Sequence, residues 1–327
     1  MRIVINSERV TVRRGCFMIL SFWGKGGVGK TTCSASLATY LASNRKKTLL
    51  ISSDPSPSLF DVFGSTIRPG GINNVSGLEK LDVIELDEAV VLEMWKERFG
   101  EEVYEVVSSF FPVDETILDY IAGAPGISEE FVLAYLLDQY HLGGYDFIVW
   151  DTAPAGGTLR LLRLEEQFYE HLGEAGKLYF SVKSVLDKVK RKGGRNPLGI
   201  IDEWRVLAKD VLDFMSSDTV RAFVVTIPEW LGYAQTERIV GELGEFSVNI
   251  GGILVNQVAE TGICQGEVWD KKSEVHAHHM DMIRQEFGDR YKVKSVPVLP
   301  YEVKGVDRLL RFSENVLDLV DIESVKP

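Results

Sequence analysis

One short run, Gly24-Lys25-Gly26-Gly27-Val28-Gly29-Lys30-Thr31-Thr32, constrains this chain more than any other stretch. From Gly24 to Thr31 it follows the phosphate-loop spacing of Gly, four residues, then Gly-Lys-Ser/Thr. The flanks agree with that assignment: residues 17–22 read as a buried strand and residues 31–43 as a helix. Glycines let the backbone turn tightly enough for successive N–H groups to face one concavity. That concavity opens onto a helix N-terminus, where unpaired N–H groups and the helix dipole favour an anion. The spacing predicts that Lys30 reaches the β- and γ-phosphates of a nucleotide and that the Thr31 hydroxyl binds Mg²⁺.

Buried strands recur along the chain, at residues 47–52, 81–86, 146–150, 222–227, 252–256 and 295–299. Helical patterns lie between them. Continuous apolar strands alternating with amphipathic helices predict a mainly parallel sheet covered on both faces. The chain has 327 residues, 45% of them hydrophobic, which is enough for one large α/β domain over 1–327 with helical insertions. Residues 1–17 admit two readings, a short hairpin or a stretch ahead of a natural start at Met18.

Charge and composition exclude several partners. A net charge of −12 argues against nucleic acid, which needs clustered Lys and Arg, and against adhesion to anionic lipid. No apolar run approaches the length of a membrane span, so no stable membrane insertion is expected. Scattered Cys16, Cys33 and Cys264 suit a reducing compartment, and no signal peptide is visible. A cytoplasmic protein is the expectation.

In such folds ligands sit at the carboxyl ends of the strands. The second strand ends in Asp54-Pro55-Ser56-Pro57-Ser58, and the fourth in Asp151-Thr152-Ala153-Pro154 followed by Ala155, Gly156 and Gly157. An acidic residue closing an apolar strand beside a phosphate loop orients Mg²⁺ through water, a role expected for Asp151. A second carboxylate positions the attacking water, a role expected for Asp54. The plainer alternative is that each Asp caps the following turn or helix.

Lys25 makes the loop unusual, and here a resemblance enters. Lys-Gly-Gly-Val-Gly-Lys-Thr-Thr resembles the deviant loop of a superfamily of dimeric ATPases. The segment 54–64 is similar to switch I, and 151–160 to switch II, of the arsenite-pump and tail-anchored-protein targeting ATPase family. Residues 228–238, 255–257 and 301–306 resemble further family segments, so the likeness spans about residues 18 to 317. It implies a homodimeric, ATP- and Mg²⁺-dependent enzyme in which Lys25 crosses to the partner's nucleotide. It also implies that Gly24, Gly26, Gly27, Val28, Gly29 and Thr32 cradle the phosphates with Lys30 and Thr31. Asn256 would contact the adenine, Glu229 would help hold the nucleotide, and Asp54 would be the catalytic carboxylate. Without the resemblance, Asn256 reads as a strand-end turn residue and Glu229 as a solvated loop acid.

The chain also departs from the family pattern. Switch I carries Ser56 and Pro57 where Ala and His are usual. Cys264 is followed by Gln265, Gly266 and Glu267, so the zinc-binding Cys-x-x-Cys of the eukaryotic members is missing. The three cysteines do not match a metalloid site, which speaks against an arsenite pump. His276, His278 and His279 read as part of a solvated helix.

Two helical stretches, 89–140 and 164–218, interrupt the strand pattern. In the second, Phe168, Leu172, Ala175, Tyr179, Val182, Leu186 and Val189 form one apolar stripe. About 26 helical residues would span about 39 Å, against about 30 Å of hydrocarbon. Asn196-Pro197 should open the next helix, with Ile201, Trp204, Ala208, Val211 and Met215 on its apolar stripe. The two stretches either line a groove for hydrophobic transmembrane segments of client proteins or merely cover the core. Trp95, Phe99, Phe110 and Phe111 are further candidates for such a groove.

Overall fold

The computed structural model describes residues 18–56, 58–64, 67–68, 70–124, 126–154, 197–260 and 266–320. The first half of the chain forms β1 (Met18–Trp23), α1 (Lys30–Ser43), β2 (Thr48–Ser52), α2 (Leu59–Phe63), β3 (Asn73–Val75), β4 (Leu78–Glu85), α3 (Glu88–Phe110), α4 (Ile117–Ala122), α5 (Ile127–Leu142) and β5 (Phe147–Asp151). The second half forms α6 (Pro197–Met215), β6 (Val220–Thr226), α7 (Trp230–Glu245), β7 (Asn249–Val258), α8 (Glu267–Phe287), β8 (Val293–Pro297) and α9 (Val306–Val320).

The strands make one 8-stranded sheet in the order β3-β4-β2-β5-β1-β6-β7-β8. Every pairing is parallel except β3 with β4. The fold is thus the expected α/β phosphate-loop architecture, with a mostly parallel sheet between helical layers. The hairpin of β3 and β4, turning at Gly77 with φ 83°, is an addition that strand periodicity did not reveal. Three residues are too few to show a period of two.

The central strands bury both faces because their side chains alternate. Ile19 and Trp23 of β1, Leu49 and Ile51 of β2, and Ile148 and Trp150 of β5 enter one core, shared with α3, α5 and α6. Leu20 and Phe22, Leu50, and Phe147 and Val149 enter the other, shared with α1 and α9. That is why these strands read as unbroken apolar runs.

The expected helical stretch at 89–140 is α3, α4 and α5, packed on one another and on α6. Asp87 caps α3, accepting the Val90 N–H at 2.8 Å. Helix α6 begins at Pro197, as the Asn-Pro pair predicts, and buries Ile201, Ala208, Val211 and Met215. The expected helix carrying the 168–189 stripe lies outside the described residues. Among the described residues no helix is long and apolar enough to cross a membrane.

Candidate nucleotide site

Four strand ends, from β5, β1, β6 and β7, surround the loop between β1 and α1. Strand β1 is locked at its end. Trp23 is fully buried, its ring edge-on to Trp150 at 5.4 Å, and its Nε1 donates to Ser21 Oγ at 2.7 Å. The Thr152 hydroxyl donates to the Phe22 carbonyl at 2.7 Å, tying the exit of β5 to the exit of β1.

Two glycines of the loop are obligatory. A Cβ at Gly24 would overlap the Val225 carbonyl oxygen of β6. Gly29 has φ 100°, a left-handed value, and a Cβ there would overlap the Asn256 amide. The Gly29 carbonyl accepts from Cys33 N–H, so α1 starts at Lys30. The first N–H groups of that helix, at Lys30, Thr31 and Thr32, have no intrahelical partner and point at the loop's concavity.

Lys30 is 5% exposed, and its ammonium arches back to donate to the Lys25 carbonyl at 3.2 Å. Burial lowers its pKa, and the charges of Asp151 and Asp54 oppose that shift. Thr31 Oγ1 donates to Asp151 Oδ2 at 2.8 Å, and Ser52 Oγ donates to the same oxygen at 3.2 Å. Asp151 is wholly buried at the end of β5. Burial raises its pKa to about 6, against the pull of the Thr31 hydrogen bond, Lys30 and the Ser52 hydrogen bond. Its Oδ1 has no hydrogen-bond partner among the described residues. A buried, half-satisfied carboxylate beside a hydroxyl is a donor set suited to a hard divalent cation.

Asp54 lies on the loop after β2. Its Oδ1 accepts the Ser56 N–H at 2.9 Å, a local turn contact, and its charge acts on Lys30. Asn256, 8% exposed, donates from Nδ2 to the Val28 carbonyl at 2.9 Å. Glu229 stands exposed just before α7, at the exit of β6. Lys25 is half-buried at the head of the loop. The structure therefore gathers Lys30, Thr31, Asp54 and Asp151 around the loop and places Asn256 against its back. Glu229 lies on the β6 side.

Sequence reading missed Ser52 and Gln257. Gln257 has φ 57° and donates to the Gly27 carbonyl at 3.3 Å. A polar residue closing an apolar strand was the available signal for Ser52. The expectation of a solvated histidine run holds for His278; His279 is half-buried, and His276 is 2% exposed on the inner face of α8. Cys33 is buried in α1, and no group of three metal-binding side chains occurs among the described residues.

A second feature lies away from the loop. Helices α3, α4, α5 and α6 line an open apolar pocket of about 250 Å³, with Trp95, Phe99, Val107, Ile121, Phe131 and Leu207 on its walls. Trp204 Nε1 donates to Glu102 Oε2 at 3.0 Å beside it. Phe111, a further candidate for the groove, follows the end of α3 and is 64% exposed.

A parallel sheet with this loop at its centre defines a phosphate-loop protein, and Lys25 marks the deviant form of the loop. The family model for anion-transporting ATPases matches residues 17–318, and the chain belongs to that family. It is 30% identical over 303 residues to ATPase get3 of Pyrenophora tritici-repentis, covering 89% of this chain and 88% of that protein. It is 30% identical over 307 residues to ATPase ASNA1 homolog 2 of Paramecium tetraurelia, covering 90% and 91%. With ATPase GET3A of Arabidopsis thaliana it shares 30% over 308 residues, covering 90% and 82%. Membership makes this a nucleotide-binding protein of an ATPase family.

Proposed function

We propose that this protein is a homodimeric, Mg²⁺-dependent ATPase of the cytoplasm. ATP binding and hydrolysis would open and close a hydrophobic helical groove that shields transmembrane segments of tail-anchored client proteins. The observation that carries the reading is the Thr31–Asp151 pair at 2.8 Å, with Lys30 buried beside it. Lys30 and the first N–H groups of α1 would bind the phosphates, and Asn256 would stand at the adenine. Thr31, and Asp151 through water, would hold Mg²⁺, which neutralises developing phosphate charge. Asp54 would orient the attacking water, and Lys25 would reach the partner's nucleotide as a trans-acting cation. Glu229 would brace the nucleotide from the β6 side.

The client reading draws its support from α3 to α6, which line an open, apolar pocket of about 250 Å³. We assign residues 89–140 and 164–218 to the client-binding part of a single ATPase domain. Purified protein should hydrolyse ATP only with Mg²⁺ and run as a dimer with nucleotide. A hydrophobic helical peptide should bind the ATP-loaded form, and arsenite should leave the rate unchanged. A protein that stays monomeric throughout turnover overturns the dimer. Failure to bind any hydrophobic helix overturns the client role, and arsenite-stimulated hydrolysis would favour a metalloid-pump motor.

A further inference from the structure

Strand β7 breaks its ladder with β8 between Val255 and Val258. The two residues inside the break, Asn256 and Gln257, are those whose amides grip the Val28 and Gly27 carbonyls. Gln257 holds a left-handed backbone there, a conformation disfavoured for a residue with a side chain. The Val298 N–H donates to the Val258 carbonyl at 2.9 Å and restores the ladder. The next N–H, that of buried Ala259, has no strand partner. It donates at 2.9 Å to Nδ1 of His276 on α8. A buried backbone donor needs an acceptor, and this one is a side chain from another layer.

Because Nδ1 accepts, the His276 proton resides on Nε2, and the ring is neutral. Burial first, then Lys272, lowers the ring's pKa, while Glu229 raises it and His279 lowers it further. Protonation would convert the acceptor into a second donor facing the Ala259 N–H.

We propose that His276 is a positioning residue for the nucleotide site: by holding Ala259, it keeps the Asn256–Gln257 bulge pressed onto the phosphate loop. This rests on the nucleotide-binding reading above. His276 touches no reacting atom; it acts through Asn256.

Binding of MgADP by calorimetry tests the proposal. His276→Leu, which keeps volume but has no acceptor, should weaken binding about fivefold to tenfold. His276→Asn, whose Oδ1 can replace Nδ1, should restore most of it. In an Asn256→Ala background, His276→Leu should have little further effect, since the bulge no longer has its grip to lose. Equal affinity of His276→Leu and the parent overturns the proposal, as does a full loss persisting in the Asn256→Ala background. Should His276→Leu fail to fold, His276→Met, which also lacks a strong acceptor, takes its place with the same expected loss, and equal affinity of His276→Met and the parent overturns the proposal. A parent protein that binds no MgADP instead removes the nucleotide reading, and this inference with it.

Discussion

The backbone N–H of Leu59, the first residue of α2, donates to Oε1 of Glu85 at 2.7 Å. Glu85 closes β4 and is 5% exposed; Leu59 is fully buried. The loop carrying Asp54 thus runs between two fixed points, the end of β2 and this carboxylate. Gly305 N–H holds the other end of α2 through the Val62 carbonyl at 2.8 Å. Glu85→Ala leaves a buried N–H unpaired and should cost about 1–3 kcal/mol in urea unfolding. Glu85→Gln keeps an acceptor and should cost less. Equal losses in the two variants would refute the assignment of the effect to this bond.

Lys25 and Lys30 should separate kinetically. Lys25→Ala should keep nucleotide affinity and lose turnover by roughly 10³-fold, the scale of a trans-acting cation. Lys30→Ala removes the buried ammonium and should lose both. Single-turnover ATPase assays alongside MgADP titration distinguish them. Unchanged turnover in Lys25→Ala would remove its intersubunit role.

Asp151 should set a pH signature on stability. Its folded pKa, about 6, lies above the ordinary carboxylate value, so the fold favours the protonated acid. A group shifted upward contributes stability that is fully present below the unfolded pKa, near 4, and is lost as pH rises through about 6. At neutral pH the ionised carboxylate then costs the nucleotide-free protein about 3 kcal/mol. Asp151→Asn should therefore be more stable than the parent at pH 8, by up to that amount, while losing Mg²⁺-dependent turnover. Urea melts should show the gap closing as pH falls from about 6 to about 4.

Gly29→Ala should weaken nucleotide binding without unfolding the chain. The left-handed backbone costs about 1–2 kcal/mol for a residue with Cβ, and the added methyl displaces the Asn256 amide. MgADP affinity measured beside thermal unfolding checks this. Gly29→Ala binding as tightly as the parent would contradict the tight approach of β7 to the loop.

Short-range chemistry was legible along the chain. The phosphate loop announces itself because Gly24, Gly29, Lys30 and Thr31 must stand at fixed spacing for N–H groups, ammonium and hydroxyl to converge. The strands announced themselves because burial on both faces makes their runs mostly apolar, and Pro197 marked the start of α6. His276 was misjudged because its neighbour His278 is solvated and a helix turns by 100° per residue, so residues close in sequence face different ways.

By itself, then, the chain determined the loop, its flanking strand and helix, and the parallel, doubly covered sheet, since each depends on neighbours a few residues away. Tertiary structure alone decided the strand order and the meetings of distant residues: Thr31 with Asp151, Asn256 with Val28, Leu59 with Glu85, Ala259 with His276. Hydrophobic pattern records which face is buried, not what it is buried against. Those partners are selected by register and packing across the whole sheet, and no local run of residues encodes them.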